Sequence, residues 1–172
     1  MKRIGPKGVA IVKSFESCRL TPYLDGGGVP TDGWGNTHGV VLGKRITQEK
    51  ADADLLRNLA EAETCVNTHA PEGCTQSQFD AACSLVFNIG TGRFIDSTLL
   101  RLWRLGDIAG AAAQFVRRDA NQQLHGFIFD NGVIEGGLVT RRYAERALFE
   151  SADFGNVVAG AESTAPKPGE TA

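Results

Sequence analysis

The chain has 172 residues, 42% of them hydrophobic and 22% charged, with a mean hydropathy of -0.15; this fits one globular domain in water and excludes collagen-like and wholly disordered classes. Eighteen Lys and Arg against twenty Asp and Glu leave a net charge of -2, so the broad basic footprint of a nucleic-acid binder is missing. No apolar run approaches the roughly 18 residues that a membrane span needs, and no apolar stretch follows Met1-Lys2-Arg3, so neither membrane insertion nor a signal peptide is expected.

In chain order, Pro6 suits a first helical turn, and Val9, Ile11, Val12 and Phe15 form an apolar stripe, predicting a helix from about 6 to 18. From Thr21 to Lys44 the pattern changes: Pro22, Pro30 and a succession of glycines, including Gly26-Gly27-Gly28, predict short strands and tight turns. Thr47 caps a helix running to about Asn67, with Glu49 near its positive end and Leu55, Leu56 and Leu59 beneath. Thr75-Gln76-Ser77-Gln78 has capping-box spacing, and Phe79, Ala82, Cys83, Val86 and Phe87 follow the rhythm of a buried helix, which makes this the central core helix.

Shorter helices are expected from Ser97 to Leu105, stopped by Gly106, from Asp107 to Val116, and from Thr140 to about Glu150. Asn131-Gly132 is a tight-turn signal between Phe127-Ile128-Phe129 and Val133-Ile134, predicting a hairpin there. Residues 151–172 carry Pro166, Pro168, Asp153, Glu162 and Glu170 against Lys167, and read as a flexible acidic tail. The expected architecture is α+β and mainly helical: a small sheet-bearing lobe over about 15–46 and a larger helical lobe over about 47–150.

Candidate chemistry lies where the first helix meets the glycine-rich stretch, since junctions between lobes form clefts. An isolated Glu on a helix is by default a solvated surface residue, but Asp25 and Thr31 follow Glu16 inside the glycine-rich stretch, and a returning hairpin brings a carboxylate and a hydroxyl opposite it. Two carboxylates in different environments are what glycoside hydrolysis needs, one as proton donor and one to activate water or stabilise the oxocarbenium-like state.

The run from Gly8 through Phe15-Glu16-Ser17-Cys18-Arg19 to Tyr23-Leu24-Asp25, then Gly28-Val29-Pro30-Thr31-Asp32-Gly33-Trp34-Gly35-Asn36-Thr37, resembles the opening of the phage-lysozyme family of endolysins, glycoside hydrolase family twenty-four. The family pattern is Glu, eight residues, Asp or Cys, five residues, Thr, and Glu16, Asp25 and Thr31 match it in spacing and type. Gln78-Phe79-Asp80-Ala81 through Phe87-Asn88-Ile89-Gly90, Ser97-Thr98-Leu99-Leu100, and Gly137-Leu138-Val139-Thr140-Arg141-Arg142 through Glu145-Arg146-Ala147-Leu148 agree in order, so the resemblance covers about 5–150. It implies a lysozyme-like fold and a muramidase domain over 1–150. It also implies hydrolysis of the β-1,4 bond between N-acetylmuramic acid and N-acetylglucosamine in peptidoglycan, lysing the host to release phage.

By the same resemblance Glu16 is the general acid, Asp25 and Thr31 hold or activate a water, and the reaction inverts. Thr37, Phe87, Asn88 and Ser97 would contact the sugar, and Trp34, flanked by glycines, is the aromatic placed to stack on it. The protein would be a monomer without metal or cofactor, stored in the host cytoplasm and released to the wall through a holin pore. Two departures stand out: Asn36 occupies the place where many relatives have His, with His38 nearby, and residues 117–136 replace a shorter glycine turn.

Other constellations have blander readings. Cys65, His69, Cys74 and Cys83 lack the close pairing of structural zinc ligands, and Cys83 falls on the core stripe. Cys65 and Cys74 flank a loop in a placement open to a disulfide after export, although reduced thiols are the simpler reading. Trp103 reads as packing, and Arg141, Arg142 and Arg146 as partners of Glu145, Glu135 or Asp119 before any anionic wall polymer. Two rivals compete with a hydrolase: a lytic transglycosylase, which has no use for a water-positioning pair, and an inactive peptidoglycan-binding protein.

Overall fold

The computed structural model describes residues 1–130 and 132–150, without the side chain of Asp130; the expected acidic tail and the Asn131 half of the predicted turn lie outside the described residues. Helix α1 (Pro6–Phe15) begins on Pro6 and stops earlier than the predicted 18, because Glu16 is extended (φ -102°, ψ 136°) and leads into a hairpin. Strands β1 (Arg19–Leu24) and β2 (Pro30–Gly33) pair antiparallel with Tyr23 opposite Thr31 and Leu24 opposite Pro30. The register slips between Arg19 and Tyr23, the stretch that holds Pro22, which has no amide to give to a ladder.

The long helix α2 (Gln48–His69) is capped by the Thr47 side chain, and α3 (Gln76–Ile89) carries both halves of the capping box read from Thr75 and Gln78. A short helix α4 (Thr91–Ile95), absent from the expected set, fills the turn before α5 (Thr98–Arg104), which Ser97 caps; α6 (Ile108–Phe115) follows, capped by Asp107. Strands β3 (Val116–Arg118) and β4 (Leu124–Gly126) form a hairpin that the sequence did not announce. Gly126 makes it feasible: at φ +131° its backbone approaches so closely that a Cβ would sit 2.2 Å from the Phe115 carbonyl oxygen.

The expected second hairpin exists in shortened form, β5 (Phe129–Asp130) against β6 (Val133–Ile134), with Gly132 at φ +81°. Helix α7 (Gly136–Phe149) starts before the expected Thr140 because Glu135, not Thr140, caps it: its carboxylate accepts from Leu138 N at 2.7 Å. The cap offsets the poor helix propensity of Gly136-Gly137. Among the described residues the strands form three separate two-stranded pairs.

The main core surrounds α3, where Phe79, Ala82, Cys83, Leu85 and Val86 are buried, and extends to Trp103, Phe115 and Phe149. Trp103 meets Phe149 edge-on at 5.0 Å, as its packing reading required. A second, smaller cluster of Val12, Leu55 and Leu59 lies beneath Trp34 and joins α1, α2 and the sheet lobe. The architecture is α+β and mainly helical, as expected.

Candidate active site

Glu16 is the residue at which α1 ends: its amide still donates to Val12 O at 3.0 Å, but its own backbone is extended. Its side chain is part-exposed and faces a buried cation: Arg141 Nη1 donates to Glu16 Oε1 at 2.7 Å. Arg141 is held in turn from α7 and α3. Its Nε donates to Glu145 Oε1 at 3.0 Å, and Nη2 lies 3.4 Å from the Ser84 carbonyl.

Asp25 follows β1 directly and shapes the hairpin turn. Its Oδ1 accepts from the amides of Gly27 and Val29, both at 2.9 Å, while its own amide donates to Val29 O. This is an Asx-type turn, for which Asp is suited because a short carboxylate reaches backbone amides two and four residues on. Gly28, at φ +78°, takes the backbone position that an L side chain would strain. Thr31 returns on β2, 4% exposed, and its hydroxyl donates to Val29 O at 3.0 Å. One hairpin rooted at Glu16 therefore carries both other members of the motif.

Asn36 forms a second tight turn. It is buried, its Nδ2 donates to Asp32 Oδ1 at 2.9 Å and His38 O at 3.0 Å, and its Oδ1 accepts from His38 N. A neutral amide that both donates and accepts does here what one imidazole ring cannot do at three points. His38 itself is exposed, as is Thr37.

Trp34 is half-buried and packs on one side against the lobe junction. It lies against the Val12, Leu55 and Leu59 cluster, its Nε1 donates to Asp52 Oδ1 at 2.7 Å, and Lys13 Nζ sits 5.3 Å from its ring centre. Lys13, and then the indole, hold the Asp52 carboxyl down to about 2.

Asn88 and Ser97 lie farther along the helical lobe. Asn88 lines a cavity of about 330 Å³ with Arg93, Phe127, Glu135 and Leu138. Ser97 lines a neighbouring one of about 340 Å³ with Gln114, Arg117 and His125, and Phe127 borders both. Neither of these two cavities is lined by Glu16, Asp25 or Thr31. Half-buried Phe87 packs against both hydrophobic clusters and lines a third cavity of about 180 Å³ beside Asn58 and Thr91.

Sequence reasoning paired the arginines of α7 internally and missed the contact that matters for the site, Arg141 to Glu16. The Arg141–Glu145 spacing of four is a legible signal of a pair, but nothing local points 125 residues back. Arg142 is fully buried with Glu145, and Arg146 pairs with Glu150 and Val116 O; Asp119 binds His125 and Glu135 caps α7, so neither takes up these arginines. All four cysteines are free thiols, and burial pushes Cys83 far up.

The family model described as phage lysozyme matches residues 13–145. An endolysin of Acyrthosiphon pisum secondary endosymbiont phage 1 is 40% identical over 155 residues, covering 87% of this chain and 99% of its own. A solved structure of a P22 lysozyme mutant superposes with a TM-score of 0.73 at 35% identity, covering 87% of this chain and 99% of that one. The muramidase domain of SpmX from Asticaccaulis excentricus gives 0.72 at 33% identity, covering 87% and 98%.

Proposed function

The chain belongs to the phage lysozyme family, and on that premise we propose how its own residues carry out the peptidoglycan hydrolysis of a lysozyme-type endolysin. The bond cleaved is the β-1,4 link between N-acetylmuramic acid and N-acetylglucosamine, and the muramidase domain spans 1–150. Glu16 gives its proton to the leaving glycosidic oxygen. The observation that carries this assignment is the 2.7 Å bond from Arg141 Nη1 to Glu16 Oε1. As the proton departs, negative charge grows on the carboxyl, and a guanidinium already in place meets that charge without reorganising.

Asp25 and Thr31 hold the attacking water. The hydroxyl proton of Thr31 is committed to Val29 O, so Oγ1 meets a water as an acceptor. Both backbone bonds to Asp25 fall on Oδ1, which leaves Oδ2 without a partner among the described residues. A water that gives one hydrogen to each directs a lone pair at the anomeric carbon. As its oxygen bonds to that carbon, the bond to the leaving oxygen breaks, Asp25 takes the water's proton, and the configuration inverts.

Asn88, Ser97, Phe87 and exposed Thr37 are proposed sugar contacts, the first two with Phe127 beside them. Among the described residues no helix is long and apolar enough to cross a membrane. We also propose storage in the host cytoplasm as a monomer, with release to the wall through a holin pore.

Digestion of purified peptidoglycan tests the chemistry. Mass spectrometry should find reducing muramyl ends, and proton NMR of fresh product should find the α anomer first. Anhydro-muramyl ends would make it a transglycosylase, and β product first would replace the water by a covalent intermediate on the enzyme.

A further inference from the structure

The molecule buries a second carboxylate beside the site that the chemistry above does not use. Glu145, on α7, has no exposed surface, and its Oε1 accepts three hydrogen bonds: from Ser84 Oγ at 2.6 Å, Arg141 Nε at 3.0 Å and Arg142 Nη2 at 3.0 Å. Its Oε2 lies 2.9 Å from Arg142 Nε, off the axis of a hydrogen bond, and Arg142 Nη1 has no hydrogen-bond partner among the described residues. Burial holds Arg142 down to about 10, with Glu145 opposing the effect and Arg141 and Arg93 adding to it.

Such a cluster is an expensive way to fill a core. Removing several charges from water costs more than their mutual attraction reliably returns, and apolar replacements of similar volume are often neutral or stabilising. Net stability alone therefore accounts poorly for it, whereas its geometry gives it a use. Each of the three guanidinium nitrogens of Arg141 has its own contact: Nε with Glu145, Nη2 with the Ser84 carbonyl and Nη1 with Glu16. A planar fork held along one edge points its remaining nitrogen in one direction. Arg141 is also 4% exposed, so no solvent competes for that fork.

Glu145 also answers the charge problem. Arg141 and Arg142 are adjacent in sequence and both buried, and Glu145 is the anion that they share. We propose that Glu145 is a positioning residue for hydrolysis: through Arg141 it fixes the Glu16 carboxyl at the place where the leaving oxygen must be protonated. The inference rests on Glu16 being the acid. Misplacing a reacting group by about 1 Å is enough to cost roughly a hundredfold in rate, so loss of Glu145 should appear in kcat and not in substrate affinity.

The test is steady-state kinetics on soluble, un-cross-linked glycan strands, with thermal unfolding beside it. Glu145→Gln should lower kcat by about tenfold or more and leave KM within about twofold, and Glu145→Asp should recover part of the loss. In an Arg141→Met background the added Glu145→Gln should change kcat by less than about twofold, because the route through which it acts is gone.

A wild-type kcat in Glu145→Gln would overturn the proposal, as would an equal loss in both backgrounds, the mark of a purely structural role. If Glu145→Gln does not fold, Arg142→Met with Glu145→Met exchanges the pair for apolar bulk. That protein should fold and remain slow, and full activity would overturn the proposal. An active Glu16→Gln enzyme would sink the acid assignment itself; an inert Glu16→Gln beside a normal Glu145→Gln would sink only the role of Glu145.

Discussion

Asp80, on α3, caps α1 from outside that helix: its Oδ1 accepts from Gly5 N at 2.8 Å and its Oδ2 from Gly8 N at 3.3 Å. Helix α1 has no capping side chain of its own, so two of its orphan amides are answered by a carboxylate 72 and 75 positions later. The fit is close. A Cβ on Gly5 would come within 2.9 Å of Asp80 Oδ2, and one on Gly8 within 2.9 Å of its Cβ. Because α1 ends at Glu16, the same contact registers the acid against the helical lobe.

Asp80→Ala should therefore cost about 2–4 kcal/mol, since it strands buried amides and removes a cap at once. Urea unfolding at neutral pH measures it. Asp80→Asn, which keeps one acceptor, should lose less, and equal stability of Asp80→Ala and wild type would contradict the capping role.

Glu16→Gln keeps size and an acceptor for Arg141 but removes the transferable proton, so wall-clearing activity should fall by about 10²–10⁴. The variant should fold. Its stability should stay within about 1 kcal/mol of wild type, because the amide oxygen can still accept from Arg141 Nη1. Turbidity clearing and a thermal melt give both quantities.

Asp25 does two jobs that substitution can separate. Asp25→Asn retains an oxygen for the Gly27 and Val29 amides, so it should melt like wild type yet lose most activity. Asp25→Ala should lose activity and also about 1 kcal/mol, as the turn loses its side-chain acceptor. Asp25→Cys should keep measurable activity, following the family pattern at this position. A fully active Asp25→Asn would remove Asp25 from the mechanism.

Acid should loosen the attachment of the sheet lobe. Lys13, Trp34 and Gln48 lower the Asp52 carboxyl from 3.8 to about 2. A carboxyl lowered in the folded state adds stability that is present above its unfolded value near 3.8 and is lost as the pH falls through about 2. Asp52 is 38% exposed, so solvent screening reduces the contribution to about 1 kcal/mol. Asp52→Asn should lower the midpoint of urea unfolding at pH 6 and approach wild type near pH 2; a constant difference across that range would refute the linkage.

Local signals in the chain were enough for much of the architecture. Thr47, Thr75, Ser97 and Asp107 announce helix starts because a cap is a contact between near neighbours, and the apolar rhythm from Phe79 to Val86 marks the buried face of α3. The spacing of Glu16, Asp25 and Thr31 is legible for the same reason: one hairpin of fixed length spans it. Signals failed where a distant partner decided the outcome. Gly126 closes against the Phe115 carbonyl, and the indole of Trp34 donates to Asp52 on α2. Above all, Arg141 meets Glu16 and Asp80 caps α1 only after α3 and α7 have packed beside α1. Neighbour contacts depend on short spacings that a sequence displays, whereas those two carboxylates acquire their partners through helix packing that no spacing encodes.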